Sequence, residues 1–372
     1  MSNEAASLRR GLAAVRAGDR QAMYTLALQQ VMLGLVPVVV LIWEASIVFG
    51  TPHSNVAVDF HDAYYVAGYR LLHGGNPYAW TNREIRAGVA FVYPAFSALF
   101  FAPFALIAER AAAVLFTLIC IALAPLTLWV LRVRDWRIYG IALLWLPVFG
   151  SWQTGNETIL LVFMTALVWR YRENPFVAGV ITAAAISLKP IMWPLVLWLL
   201  ATRRWRATGY GLAAGLLINV VSWSVVGFGK IGVYLRDSGY DTRHAWRAGY
   251  SVAAALGHLG FGHSVGDVMT VVACAALAVT IVYVAAVKHR ERQALTLTVI
   301  LVLVASPLVW SHYFAFLLIP MALERPRMNW LWALPLLMWD CPPSFHVHAL
   351  QEAAAWVVAV TMLVAVVRAA RE

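Results

Sequence analysis

The run AAAVLFTLICIALAPLTLWVL at residues 111–131 decides the fold class. It carries no charged side chain over a length that crosses a bilayer, since roughly 20 apolar residues in helix span about 30 Å of hydrocarbon. Its apolar residues are continuous instead of alternating, which points to helix and away from a strand of a transmembrane barrel. Working outward, the same texture returns at 31–49, 89–107, 138–150, 158–169, 176–188, 191–201, 207–227, 267–287, 293–309, 313–323, 329–339 and 352–367. Composition agrees: 62% of the 372 residues are hydrophobic and 12% are charged, where a soluble domain carries about 25% charge. The chain is therefore predicted to be an all-α polytopic membrane protein of about 12 transmembrane helices. Residues 1–30, polar and holding Arg9, Arg10, Arg16 and Arg20, read as a cytoplasmic N-terminal segment before a retained signal anchor. Residues 31–372 read as one transmembrane domain.

The formal charge of +10 would suggest nucleic acid in a soluble protein, but in a bundle basic residues first report orientation. No nucleic-acid partner is expected; the surrounding partners are membrane lipids. Arginine and lysine cluster at the N-terminus and at Arg132/Arg134/Arg137, Arg170/Arg172, Arg203/Arg204/Arg206, Lys288/Arg290/Arg292, Arg325/Arg327 and Arg368/Arg371. If these are cytoplasmic, the connections 50–88, Ser151–Glu157, Leu188–Pro190, 228–266, Ser306–His312 and Asp340–His348 lie outside the cell membrane. The parity does not close, because thirteen apolar segments cannot join two cytoplasmic termini. Either one segment between 89 and 137 does not span, with Pro94 and Pro103 pointing to 89–107, or Arg132–Arg137 is outside. Cys120, Cys274 and Cys341 have no paired spacing, and neither disulfides nor zinc are indicated.

The chemistry-bearing residues gather in the outer connections. In the long first loop, Asp59-Phe60-His61-Asp62-Ala63-Tyr64-Tyr65 leads into a helix expected from about Asp62 to His73, stopped by Gly74-Gly75 and Pro77. That helix is expected at the membrane interface, with Tyr64, Tyr65 and Tyr69 at headgroup depth. Asp59 serves equally as an ordinary helix N-cap or as a carboxylate that takes a proton from a bound hydroxyl. Asp62 and His61 are weaker candidates, since an acid in a first turn already suits the helix dipole. Ser151-Trp152-Gln153-Thr154-Gly155-Asn156-Glu157 is either a plain polar turn or a place where Asn156 and Glu157 bind sugar hydroxyls. Lys189-Pro190 breaks an apolar stretch, and its ammonium either snorkels to the interface or faces a phosphate. His312, in Ser306-Pro307-Leu308-Val309-Trp310-Ser311-His312-Tyr313, either packs against Trp310 or meets the same phosphate. The charged and aromatic stretch 228–249 reads as mostly solvated, with some side chains available to acceptor hydroxyls or a phosphorylated headgroup. His346 and His348 are too few for a metal site, and none is assigned. Glu44, inside the first apolar run, is expected to bond within the bundle.

The pattern Asp-Phe-x-x-x-Tyr-Tyr-x-Ala, the Gly-x-Pro-Tyr turn ending at Tyr78, Val92-Tyr93-Pro94, Lys189-Pro190 and the Ser-Pro-x-x-Trp-x-His of 306–312 together resemble glycosyltransferase family 87. The resemblance covers about residues 30–323. It implies a C-type glycosyltransferase helical bundle and is similar to the α-1,2-mannosyltransferases of mycobacterial phosphatidylinositol mannoside synthesis. It further implies transfer of a sugar, mannose first, from a polyprenyl-phosphate donor to a glycolipid or polysaccharide acceptor, with no cofactor and no metal. Asp59 would be the catalytic base, and Lys189 and His312 would bind the donor phosphate. Asp62, Tyr64, Tyr65, Tyr93, Asn156, Glu157 and Trp310 would contact substrate. Tyr313 stands where some members carry a second histidine. The rival from another class is a transporter or flippase of a lipid-linked sugar, which should show an internal repeat with breaks at corresponding positions. None is evident in the sequence.

Overall fold

A computed structural model gives the structure of residues 20–40, 42–43, 57–341 and 347–369. Every regular element among them is helical. Four helices are long and apolar enough to cross a membrane: Met23–Val40, Glu109–Val130, Trp205–Val226 and His263–Val287. The first begins inside the segment read as polar and cytoplasmic, because its helix already starts at Arg20. The other apolar helices are shorter, such as Thr158–Arg170, Pro175–Leu188 and Ala349–Val364. Glu44 and His346 lie outside the described residues.

Local chemistry sets the ends of these helices. Asn174 caps Pro175–Leu188 by accepting from the Val177 amide, and the proline stands at the first helical position where its missing N–H costs nothing. Asp135 caps Trp136–Leu143, grips the Arg137 guanidinium with both oxygens and accepts from the Met328 amide at 2.8 Å. The outward surfaces of the long helices are apolar: Leu212, Leu216, Leu217 and Val225 on one, and Val268, Val271, Val272 and Val279 on another, are exposed. In water such patches would be a liability, whereas in hydrocarbon they are the proper surface.

The basic clusters converge. Arg204 binds Glu291 at 3.0 Å and Glu173 at 2.8 Å, Arg172 lies over the Trp169 ring, and Arg132, Arg134, Arg170, Arg172 and Arg292 line adjoining hollows. Arg132 and Arg134 are thus on the same face as the clusters at 170, 203 and 290. The segment 89–107 is the other candidate for the uneven count. It folds as two short pieces, Ala95–Phe101 and Ala102–Leu106, and both of its ends are tied to the first loop. The Tyr93 carbonyl accepts from the Tyr78 hydroxyl at 2.8 Å, and the Ile107 carbonyl accepts from the Tyr65 hydroxyl at 3.0 Å. The segment thus begins and ends beside the first loop.

The helix of the first loop starts earlier than expected, running through Phe60–Tyr65 and Val66–Leu72. It packs into the bundle through Phe60, Ala63, Tyr64, Ala67 and Gly68, all buried. Tyr64 is fully buried and stacked on Phe101 at 4.4 Å. Tyr69 is exposed.

A close helix crossing joins Pro175–Leu188 to Trp205–Val226. A Cβ on Gly179 would sit 2.4 Å from the Ala207 carbonyl oxygen and 2.8 Å from the Gly211 nitrogen, and Ala183 faces Gly215. Small residues at this spacing let two backbones touch, which is how membrane helices associate where lipid offers no hydrophobic contrast. Gly179→Leu is expected to force the pair apart at a cost of about 1–3 kcal/mol, read as a lowered melting temperature in detergent. An unchanged melting temperature would mean that these helices do not meet.

Candidate active site

The site forms where the first loop docks on the Ser151–Glu157 turn. The Ala57 and Asp59 amides donate to the carbonyls of Gln153 (2.5 Å) and Thr154 (2.8 Å), carbonyls that the ending helix Leu146–Gln153 leaves without an intrahelical donor. Gly155 permits this approach: its φ is +65°, and a Cβ there would lie 2.9 Å from the Phe60 Cβ and 3.0 Å from the Ala57 Cα. Asp59 makes no capping bond with its side chain. Its carboxylate instead accepts from the Asn156 side-chain amide at 2.8 Å. Asn156 cannot turn over, because its carbonyl oxygen accepts from both the amide (3.0 Å) and the hydroxyl (2.7 Å) of Thr158. Burial pushes the Asp59 carboxyl up to about 6; Glu157 pushes the same way, while Asn156 and Lys189 pull it back.

The tyrosines and acids around Asp59 divide. The Tyr64 hydroxyl reaches the Asn156 amide nitrogen at 3.3 Å, so Tyr64 belongs to the site as a packed support. Tyr65 spends its hydroxyl on Ile107, and Asp62 is half-buried near His61 and Glu109, which pair at 2.9 Å. Neither Asp62 nor Tyr65 lines the cavity beside Asp59.

Lys189, at the break after Pro175–Leu188, does not snorkel. Its ammonium is buried and pairs with Glu157 at 2.8 Å, with the rings of Tyr93 at 5.2 Å and Tyr313 at 4.6 Å from Nζ. Glu157 is fully buried, so the turn residue read as a possible sugar ligand instead holds the lysine. His312 is also buried, and among the described residues neither ring nitrogen has a hydrogen-bond partner. Burial, with the Lys189 charge nearby, holds its pKa well below the usual histidine value, so the ring is neutral. It presents one N–H donor and one bare nitrogen, not a cation.

A cavity of about 170 Å³ opens beside these groups. It is lined by Asp59, Tyr93, Asn156, Trp310 and His312, by the chain at Ile85 and Ala87–Ala90, and by Asp241. The sequence-derived residues Asp59, Tyr93, Asn156, Trp310 and His312 are thus brought to one hollow, with Glu157 and Lys189 close behind. Asp241 was not singled out from its charged surroundings, most of which read as solvated. It sits on helix Ile231–Ala245, is half-buried, and has its carboxyl pushed up to about 6 by burial. Its neighbour Asp237 is buried and paired with Arg236 at 2.8 Å. Among the described residues no cluster of three His, Cys, Asp or Glu side chains is placed to hold a metal ion. Chemically, the hollow offers a carboxylate of raised basicity, a neutral imidazole and aromatic walls, which suits proton removal from a hydroxyl.

Lys189→Met is expected to strand the Glu157 carboxylate in the interior and to cost about 3–5 kcal/mol, read by thermal unfolding in detergent. The double variant with Glu157→Gln should recover much of the loss. A single variant as stable as the parent would show that the two charges are not paired in the folded protein.

Compared with known proteins, the chain has no match to a curated protein and none to a solved structure. The model of glycosyltransferase family 87 matches residues 91–311, from beside Tyr93 through Asn156, Glu157, Lys189, Asp241 and Trp310 to the residue before His312. With more than half of its length under that match, the chain belongs to glycosyltransferase family 87.

Proposed function

We propose that this glycosyltransferase moves a sugar, mannose by the resemblance, from a polyprenyl-phosphate donor to a hydroxyl of a glycolipid or glycan on the outer face of the cell membrane. The observation that carries the reading is the Asp59 carboxylate, fixed by Asn156 at 2.8 Å and facing the same cavity as His312. A base for a hydroxyl must be ionised yet retain affinity for a proton, and a carboxyl near 6 meets both demands at neutral pH.

In the proposed reaction the acceptor hydroxyl gives its proton to Asp59 as its oxygen bonds to the anomeric carbon. The bond from that carbon to the phosphate oxygen breaks on the opposite side, and its electron pair leaves with the lipid phosphate. One displacement inverts the anomeric centre. His312, neutral, donates its N–H to an oxygen of the departing phosphate. Lys189 acts from within its Tyr93 and Tyr313 cage, where Glu157 holds it, and its positive charge offsets charge growing on the phosphate. In a low-dielectric surrounding such fixed groups act strongly on developing charge. Asn156 keeps Asp59 aimed. Tyr93 and Trp310 supply apolar walls on which a sugar face can rest. Asp62, Tyr64 and Tyr65 shape the loop that carries Asp59. The basic hollows at the other ends of the helices support, by the positive-inside bias, a cytoplasmic position for that end of the bundle and an outer position for the cavity.

Asp59→Asn is nearly isosteric and removes only the proton acceptor, so a loss of about 10²–10⁴-fold in transfer is expected in proteoliposomes given a polyprenyl-phosphate sugar, with the melting temperature retained. Normal turnover by this variant would falsify the assignment. Because the base must be ionised, transfer by the parent protein should fall as pH drops through about 6. A rate flat from pH 8 to 5 would remove Asp59 as the proton acceptor.

A further inference from the structure

The cavity contains two carboxylates, and the proposed reaction uses one. Asp241 reaches the hollow from helix Ile231–Ala245, whereas Asp59 reaches it from the first loop. Among the described residues no lysine or arginine lines the hollow, the histidine there is neutral, and the ammonium of Lys189 is already paired with Glu157 at 2.8 Å. Asp241 is also unusual among the acids around it. Asp237 holds Arg236, Asp267 holds His263, and Glu84 closes the capping box of helix Asn82–Arg86. Among the described residues, Asp241 has no hydrogen bond or ion pair to a protein group, although it is half-buried. A ligand that fills the hollow displaces water from this half-buried carboxylate, so the ligand has to supply hydrogen-bond donors in its place.

We propose that Asp241 is a second ligand-binding carboxylate of this cavity, one that accepts hydroxyl donors from an uncharged polyol and excludes a phosphate or carboxylate from the acceptor's reacting end. The assignment rests on the transferase reading in taking that polyol to be the acceptor. Each carboxylate oxygen accepts up to two hydrogen bonds, so Asp241 binds neighbouring hydroxyls of a sugar ring while Asp59 addresses the one that reacts. An anionic group on the acceptor would meet two like charges in a medium that screens poorly, whereas the donor phosphate of the proposed reaction meets the His312 N–H and the Lys189 charge behind it. Discrimination of this kind comes from a repulsive element as much as from an attractive one. The helix that carries Asp241 is braced for the purpose: Tyr234 packs on the Tyr78 ring at 6.0 Å and on Trp223 at 5.9 Å.

The test is equilibrium binding to the full chain in lipid nanodiscs without donor, using methyl α-D-mannopyranoside and mannose 6-phosphate as probes and saturation-transfer NMR as readout. The parent protein is expected to bind the neutral glycoside at least tenfold more tightly than the phosphate. Asp241→Asn should weaken neutral-glycoside binding about tenfold, Asp241→Glu should restore most of it, and Asp241→Lys should reverse the preference. Melting temperatures of the three variants report folding separately. The proposal is overturned if the parent binds neither probe, if it binds the phosphate as well as the glycoside, or if a folded Asp241→Asn variant binds as the parent does. Because no donor is present, these outcomes are independent of turnover. A parent that binds the glycoside selectively yet transfers nothing from a polyprenyl-phosphate sugar would fail the transferase reading and leave Asp241's role in binding intact.

Discussion

The hydrogen bond from Asn156 to Asp59 is the constraint on which the site depends, because it joins two parts of the chain that have no other reason to meet at that atom. A loop at the mouth of a membrane bundle must find partners for its own amides, and those of residues 57 and 59 find them at carbonyls 153 and 154. That docking fixes the backbone of Asp59 but not its carboxylate. The side chain is fixed by an amide that has only one orientation available, since Thr158 claims its oxygen twice. Gly155 is the geometric condition for the whole arrangement. Any side chain there would push against Phe60 and Ala57 and open the gap that Asn156 closes.

Adjacent residues of one turn then perform opposite electrical tasks. Asn156 faces Asp59 and lowers its proton affinity, while Glu157 faces inward, neutralises Lys189 and raises it. Burial is the largest influence on Asp59, and the two charges of the Glu157–Lys189 pair act on it with opposite signs. A lone buried carboxylate or ammonium at this depth would shift its proton equilibrium until it was neutral. Here the two are paired, and the aromatic rings of Tyr93 and Tyr313 flank the lysine behind the cavity. The hollow is thus given a cation nearby without a cation in it.

How much of this could be read from the residues follows from what each signal measures. Charge-free runs such as 111–131 specify helices because hydrocarbon leaves the backbone no other partner, and the helices are there. Ionisable residues at breaks in such runs, Lys189 and His312 among them, were legible as site residues because burying them is too costly to be idle. The segment 89–107 shows what hydropathy leaves out, since it reports that a stretch is apolar and not that it crosses. Its two prolines hinted at the interruption, but the return to the first loop is set by Tyr65 and Tyr78, whose bonds to Ile107 and Tyr93 span 42 and 15 residues. Tyr64 and Tyr65 differ by one position, which on a helix turns a side chain by about 100°, enough to bury one against Phe101 and leave the other reaching for a carbonyl. Asp241 could not be distinguished from its neighbours by composition. What sets it apart is that Arg236 takes Asp237 and, among the described residues, none takes Asp241, and pairing is a fact of three dimensions.

The neutrality of His312 alters what the site asks of its donor. A histidine beside a phosphate is first read as a countercharge, but burial together with the Lys189 field keeps this ring unprotonated. Placing a second cation there would add to the repulsion that Lys189 already exerts, whereas a neutral N–H can approach an anionic oxygen without that penalty. In the proposed reaction the leaving phosphate therefore departs toward a hydrogen-bond donor backed by one buried charge. This division suits a reaction that must also release its product: a phosphate gripped by two bare cations in a medium of low dielectric would be held too tightly to leave. The groups that remain fixed, Glu157 with Lys189 and Asn156 with Asp59, are bonded to one another and not to ligand, so the site keeps its charges in place as substrates come and go.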